Sequence, residues 1–135
     1  TGARHTEINK ILDGKMITAA QRLVREVHIS DGLISFVSNI VRATRHASSE
    51  VQAVKDFVRW GAGPRAGQAM VLTAKARALL SGRYSVTPED IEHVAYPVLR
   101  HRILLNFKAE AEGMESDEIT RQLLAHYRKT LKASV

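Results

Sequence analysis

The sequence predicts an all-α fold, a small bundle of about five to six helices in a single domain. Three observations predict it. Apolar residues recur with the helical period of 3.6 in most segments, helix-start signals precede several of these segments, and only two short stretches look extended. The chain has 135 residues, of which 44% are hydrophobic, so it is long enough to bury one core.

The composition excludes several classes of protein. The chain contains no cysteine, which excludes disulfides and thiolate zinc sites and suits a cytoplasmic protein. No apolar run approaches the roughly 18 residues that a membrane span needs, and no signal peptide is visible. The sequence begins at Thr1 rather than methionine, so we expect it to be a piece of a longer protein.

The charge balance is basic, with a net charge of +6 at pH 7. Such a balance raises the chance of a nucleic-acid or other anionic partner. The lysines and arginines are spread along the chain, and only one tryptophan, three tyrosines and three phenylalanines could stack on bases. We therefore do not expect nucleic acid as a partner. An independent basic helical module that binds nucleic acid or a protein stays open as the alternative.

The first third of the chain predicts three helices. Residues 4–13 carry apolar side chains at helical spacing and stop before Gly14. Thr18 is placed to cap a second helix, whose apolar residues continue the same period. Ser30 or Asp31 is placed to cap a third helix with a buried apolar stripe.

The middle of the chain predicts an irregular segment followed by a long helix. Residues 46–63 are the least regular part, and residues 57–60 could be extended. Pro64 suits the first turn of a helix, because its missing N–H would have no partner there. The helix that follows runs to about Ser81 and is apolar on more than one side, which indicates a central position.

The last third predicts two more helices. Thr87 followed by Pro88 and two acidic residues is a strong helix-start signal. Residues 103–107 form a short strand or an irregular buried segment, and residues 116–131 form the last helix.

The strongest functional candidate is the motif Trp-Gly-Ala-Gly-Pro-Arg-Ala at residues 60–66. It places Arg65 in the first turn of the long helix, beside free backbone N–H groups and the positive end of the helix dipole. A guanidinium there adds a bidentate clamp for phosphate. From these residues alone, an ordinary loop-to-helix junction with a surface arginine is the other interpretation.

Motifs for independent catalysis are missing from the chain. Gly14-Lys15 is its only Gly-Lys pair, and Met16 follows where a P-loop has serine or threonine. A metal-binding aspartate after an apolar strand is missing as well, and the six histidines show no ligand pair, so we expect no metal site. We therefore expect this fragment to hydrolyse nothing alone.

Several segments together closely resemble the C-terminal lid domain of the MoxR-type AAA+ ATPases. The resemblance extends from about Ala20 to Leu124 and includes the motif at residues 60–66. The other segments that carry it are VREVHISD (24–31), VRATR (41–45), AKARALLSGRYSVTPEDI (74–91), VLRHRI (98–103) and EAEG (110–113).

The resemblance implies a role for the motif. In that family the arginine of a Gly-Ala-Ser-Pro-Arg motif is the sensor 2 residue, which reaches the terminal phosphate of the nucleotide. Arg65 matches it and would act in catalysis by the full-length enzyme, with Pro64 and Ala66 beside the nucleotide. Gly63 stands where the family usually has serine. ATP and magnesium are then the cofactors of the full-length protein, none is held tightly by this fragment, and residues 1–135 are a lid excised from a larger ATPase.

The resemblance also implies partners. They are the protein's own N-terminal P-loop domain, neighbouring subunits of a ring, and proteins with von Willebrand factor A domains, within a chaperone-like motor that assembles complexes. Arg100, His101 and Arg102 form either a solvated basic turn after a helix or, by resemblance, a contact with the nucleotide-binding domain or a neighbouring subunit. We expect Glu110 and Glu112 to be surface acids or partners of these arginines.

Overall fold

The computed structural model describes residues 9–133, and the all-α prediction is confirmed. The described residues hold seven α-helices, more than the predicted five to six, because two helices of six residues each were not predicted. In chain order the elements are α1 (Gly14–Glu26), α2 (Asp31–Ala43), a 3-10 turn (His46–Ser48), α3 (Gln52–Phe57), β1 (Val58–Trp60), α4 (Pro64–Leu80), α5 (Pro88–Leu99), β2 (Leu104–Leu105), α6 (Phe107–Glu112) and α7 (Ser116–Ala133).

Helix α4 lies at the centre, as the sequence predicted, and it packs against α1, α2 and α5. Its buried side chains are Ala66, Met70, Ala74 and Ala78, which recur every fourth residue and form one row. Alanine adds little bulk, so neighbouring helices approach this row closely. Leu80, the last residue of α4, is exposed.

The rest of the core comes from helices that surround α4. Each large apolar side chain that is fully buried stabilises the fold by roughly 1.5–3 kcal/mol. The largest fully buried apolar side chains of α2, α4, α5 and α7 are Ile40, Met70, Ile91, Leu99, Ile119 and Leu123.

The predicted start of α1 was wrong. Residues 9–13 are not helical, and residues 4–8 lie outside the described part of the chain. The Asp13 carboxylate caps α1 by accepting a hydrogen bond from the third helical N–H at 2.8 Å, so Gly14 begins a helix rather than ending one. Thr18, the predicted cap, lies inside α1 and donates to the Gly14 carbonyl oxygen at 2.8 Å.

Strands β1 and β2 form a two-stranded antiparallel sheet that links the end of α5 to the loop before α4. Val58 lies opposite Leu105 and Trp60 opposite Leu104, with an irregularity in between. Both segments for which an extended conformation was considered thus contain a strand, although Phe57 belongs to α3.

A buried carboxylate ties α4, the turn after it and α5 together. The Asp90 side chain is only 2% exposed and accepts two hydrogen bonds from the Arg83 guanidinium, each of 2.7 Å. It also accepts one from the Thr87 N–H at 2.9 Å, and the Nε atom of Arg77 lies 3.4 Å away. The hydrogen bond from Arg83 is the main reason that the pKa of Asp90 is lowered, so this carboxylate is ionised at neutral pH.

We expect Asp90→Asn to lower the free energy of unfolding by about 2 kcal/mol, because a hydrogen bond to a charged group contributes roughly 1.5–3 kcal/mol. Urea denaturation followed by circular dichroism at pH 7 measures it. Asp117→Asn is the matched control, since that carboxylate pairs with Arg100 at the surface, and it should cost less than about 1 kcal/mol.

A comparison of the parent protein with Asp90→Asn at different pH values tests the ionisation of Asp90. A lowered folded pKa stabilises the protein above the unfolded pKa of about 4, and this stabilisation is lost as the pH falls towards the folded value. The difference in stability between the parent and Asp90→Asn should therefore narrow below about pH 4. A difference that stays constant down to about pH 2 contradicts the assignment.

Candidate functional site

The loop between β1 and α4 places Arg65 at the start of the central helix. Gly63 precedes α4 with φ −88° and ψ 176° and supplies no side-chain cap. Pro64 and Arg65 are the first two helical residues, and the predicted helix start is confirmed. Pro64 has no N–H, so the backbone N–H of Arg65 is the one in this first turn that lacks a partner within the helix, and together with the helix dipole it favours an anion at this end of α4.

Arg65 is exposed and makes no hydrogen bond or ion pair with any residue that the structure describes. Its guanidinium is therefore available to a ligand. Ala66, by contrast, is completely buried, and its N–H donates to the Gly63 carbonyl oxygen at 2.9 Å. Ala66 anchors the turn, and its predicted contact with a nucleotide stays a prediction, as does that of Pro64.

The end of α2 holds this loop through the peptide groups of Ala62. The Thr44 hydroxyl accepts a hydrogen bond from the Ala62 N–H at 2.8 Å and donates to the Val41 carbonyl oxygen at 2.7 Å. The Nε–H of Arg45 donates to the Ala62 carbonyl oxygen at 3.3 Å. Two consecutive residues thus hold both polar backbone groups of Ala62, three positions before Arg65.

The two glycines of the loop have different roles. A Cβ atom on Gly61 would lie 2.4 Å from the Thr44 carbonyl oxygen, so only glycine fits there without a shift of the backbone. A Cβ atom on Gly63 would meet nothing within 4 Å. Serine, the residue usual in the resembling family, therefore has room at position 63, and glycine removes a possible cap rather than relieving a clash.

A groove of about 700 Å³ lies between α1, α2 and α4, beside the start of α4. Pro64 and Gln68, which lie on either side of Arg65 along the helix, both line it. Much of its wall is apolar, and none of the described residues that line it carries a carboxylate. The groove therefore suits an anionic ligand with an apolar part. Its cationic lining residues are Arg25, Arg42, Arg45 and Lys75.

The basic turn after α5 is held by contacts within the domain. Arg100 makes a bidentate pair with Asp117 at 2.9 and 2.7 Å, which joins the end of α5 to the start of α7. Arg102 donates to the Val98 carbonyl oxygen at 2.6 Å, and Nδ1 of His101 lies 3.1 Å from a carbonyl oxygen of the same helix. These side chains satisfy the last carbonyls of α5. Their predicted contact with another domain or subunit stays a prediction.

The acids expected near this turn lie at the surface. Glu110 and Glu112 are both exposed, and the Glu112 carboxylate lies 3.9 Å from the Lys108 ammonium. Arg100 pairs with Asp117 rather than with either glutamate, and that pair lowers the pKa of Asp117.

Two features of the described residues bear on other functions. Within residues 9–133, no three histidine or acidic side chains come together in a way that could hold a metal ion. None of the helices in this part of the chain is long and apolar enough to cross a membrane.

Comparison with known proteins decides the family. Residues 50–123 match the family model of the AAA lid domain. The chain belongs to that family. The matched region begins just after the 3-10 turn and includes the glycine loop, Arg65, α4, α5, α6 and the first part of α7.

Relatives of the lid domain are of the MoxR type, as the resemblance indicated. The lid domain is 29% identical to the chaperone MoxR1 of Mycobacterium tuberculosis over 124 residues, which are 91% of this chain and 33% of that protein. It is 36% identical to the protein MoxR of Paracoccus denitrificans over 84 residues, which are 58% of this chain and 25% of that protein. The chain thus spans a third or less of the length of these curated relatives.

A solved structure agrees with the fold. The crystal structure of a provisionally assigned ATPase from Cytophaga hutchinsonii superposes on the lid domain with a TM-score of 0.73 and 38% sequence identity. The match covers 77% of this chain and 32% of that one. The lid domain is therefore that of a MoxR-type AAA+ ATPase.

The contacts that hold the loop could not be predicted from the sequence. Thr44 and Arg45 belong to the segment VRATR, but nothing in that segment indicates that they bind Ala62, 18 residues from Thr44. A hydroxyl residue at the end of an apolar helix is the one available signal, and it does not name the partner.

We expect Gly61→Ala to lower the free energy of unfolding by about 2 kcal/mol or more, because overpacking against backbone typically costs about 1–3 kcal/mol. Gly63→Ala is the matched control and should cost less than about 1 kcal/mol, since the space around it is open. Urea denaturation of the two variants measures the difference. Equal losses would show that the loop does not lie against Thr44.

Proposed function

We propose that this lid domain is the C-terminal lid of a larger MoxR-like AAA+ ATPase, in which Arg65 is the sensor 2 residue. The observation that carries the proposal is the exposed guanidinium of Arg65, which has no partner among the described residues and lies at the N-terminus of the central helix. The backbone N–H of Arg65, the helix dipole and an arginine fork together favour a phosphate.

In this proposal the lid domain converts the state of a bound nucleotide into movement. A P-loop domain elsewhere in the protein binds ATP and magnesium, and the metal neutralises phosphate charge there. Arg65 makes charge-assisted hydrogen bonds to the terminal phosphate and loses them after hydrolysis, so it stabilises one position of the lid over another. Because α4 packs against α1, α2 and α5, a displacement at its start moves the lid as one body.

The groove beside α4 supports an orientation in which this face of the lid domain is turned towards the nucleotide. Four cations and no carboxylate among its described lining residues favour a face turned towards an anion. We place the protein's own P-loop domain on this side of the lid domain. We further propose that the protein forms a ring in the cytoplasm, with Arg100, His101 and Arg102 at a domain or subunit contact, and works with proteins that carry von Willebrand factor A domains.

Arg65→Ala in the intact ATPase should lower the rate of ATP hydrolysis by roughly 10–100-fold, because loss of a preorganised charge at the reacting phosphate weakens the transition state. ADP affinity should change by less than about threefold, since ADP lacks the terminal phosphate that the fork binds. Arg65→Lys should restore little of the rate, because an ammonium is not bidentate. Steady-state kinetics and ADP titration measure these effects.

Arg59→Ala is the matched control for this experiment. Arg59 is an exposed arginine on β1, six residues before Arg65 and outside the helix start. The ATPase with Arg59→Ala should hydrolyse ATP at the parental rate. Parental hydrolysis by Arg65→Ala would instead show that Arg65 is an ordinary surface arginine.

The 135-residue chain by itself should release no phosphate from ATP and magnesium above a buffer blank. It has an arginine that can reach a phosphate but no P-loop to hold the nucleotide. A coupled phosphate-release assay checks this expectation. Hydrolysis that persists through further purification, and that disappears in the Arg65→Ala chain, would contradict it.

A further inference from the structure

We propose that Thr44 and Arg45 are positioning residues for Arg65, which aim its guanidinium by holding the peptide groups of Ala62. The inference rests on the function proposed for Arg65. It adds two residues that directly follow α2, neither of which needs to touch the nucleotide in order to affect hydrolysis.

The Thr44 hydroxyl has a specific use in this position. The residue is 0% exposed, where an unsatisfied hydroxyl costs free energy. Its backbone N–H already bonds to the Ile40 carbonyl oxygen at 3.1 Å, so the hydroxyl is not needed to end α2. Instead the hydroxyl accepts from the Ala62 N–H and donates to the Val41 carbonyl oxygen. Valine would fill the same volume but could not bind Ala62.

Few backbone angles of the loop are free between the contact at Ala62 and the start of α4. Ala62 is 1% exposed and is held at both its N–H and its carbonyl oxygen. Gly61 lies so close to Thr44 that even a methyl group does not fit. After Ala62 only the dihedral angles of Gly63 remain to be set, because the ring of Pro64 fixes its own φ and also restricts the residue before it. The direction in which the chain enters α4 is therefore set at Ala62.

Side-chain packing cannot set this direction alone. Pro64 and Arg65 are both exposed, and Gly63 has no side chain that could cap the helix or pack against a neighbour. Ala66 is the first buried residue of α4. Without the contacts from α2, the two residues before Ala66 would be held only by Gly63, the residue type with the greatest backbone freedom.

The experiment compares Thr44→Val, Thr44→Ser and Arg45→Ala in the intact ATPase, each with and without Arg65→Ala. Thr44→Val should lower kcat about 10-fold, because a displacement of about 1 Å at a reacting group can cost up to 100-fold, with ADP affinity within about twofold of the parent. Thr44→Ser keeps the hydroxyl and should stay within about twofold of the parental kcat. Arg45→Ala should lower kcat about threefold, since its bond to Ala62 is longer.

The variants that also carry Arg65→Ala separate a positioning role of Thr44 and Arg45 from any other effect on hydrolysis. Residues that act only through Arg65 should lower kcat no further once Arg65 is gone. Arg59→Ala is again the matched control, because Arg59 is an exposed arginine that is not among the described residues lining the groove. It should leave kcat within about twofold of the parent.

Hydrogen exchange of the Ala62 amide in the 135-residue chain should be at least about 10-fold faster in Thr44→Val, since each 1.4 kcal/mol of lost protection is tenfold.

Two results would overturn the inference while leaving the function of Arg65 intact. One is a loss of kcat from Thr44→Val or Arg45→Ala that is equally large with and without Arg65. The other is parental hydrolysis by Thr44→Val although its Ala62 amide exchanges faster. If Thr44→Val does not fold, Arg45→Ala decides the question, because Arg45 is exposed and its loss opens no cavity. Parental hydrolysis by Arg65→Ala would overturn both proposals.

Discussion

Close packing along one row of α4 is the constraint on which the other elements depend. Ala66, Met70, Ala74 and Ala78 are all buried, and α1, α2 and α5 meet around the helix that carries them. Because three of these four side chains are single methyl groups, a larger residue in the row would push a neighbouring helix away. The carboxylate of Asp90 then fixes α5 against the far end of α4, while the glycine loop joins α2 to its near end.

Elements with strong local signals could be predicted from the sequence. Pro64 and Thr87 each mark a helix start through their own chemistry, and the structure begins α4 and α5 where these residues predict. The start of α1 was misjudged, because aspartate followed by glycine is compatible with both the end and the beginning of a helix. Helices α3 and α6 have six residues each, which is too short for a period of 3.6 to be recognised.

The candidate site also has one part that could be predicted from the sequence and another that could not. Arg65 could be found from its neighbours along the chain, because proline after a glycine loop specifies the helix start on which its role depends. The contacts of Ala62 with Thr44 and Arg45 join residues 18 and 17 positions apart, and the groove combines side chains of three helices. Neither follows from local pattern, since packing brings these residues together only after the helices have formed.

The four cations around the groove have a consequence for the isolated domain. Like charges that share one concave surface repel each other, and that repulsion opposes folding when no counter-charge is present. Added electrolyte screens it over a distance of about 8–10 Å at ordinary ionic strength. The free lid domain should thus resist heat better in concentrated salt than in dilute buffer, and a multivalent anion should protect it more than chloride does.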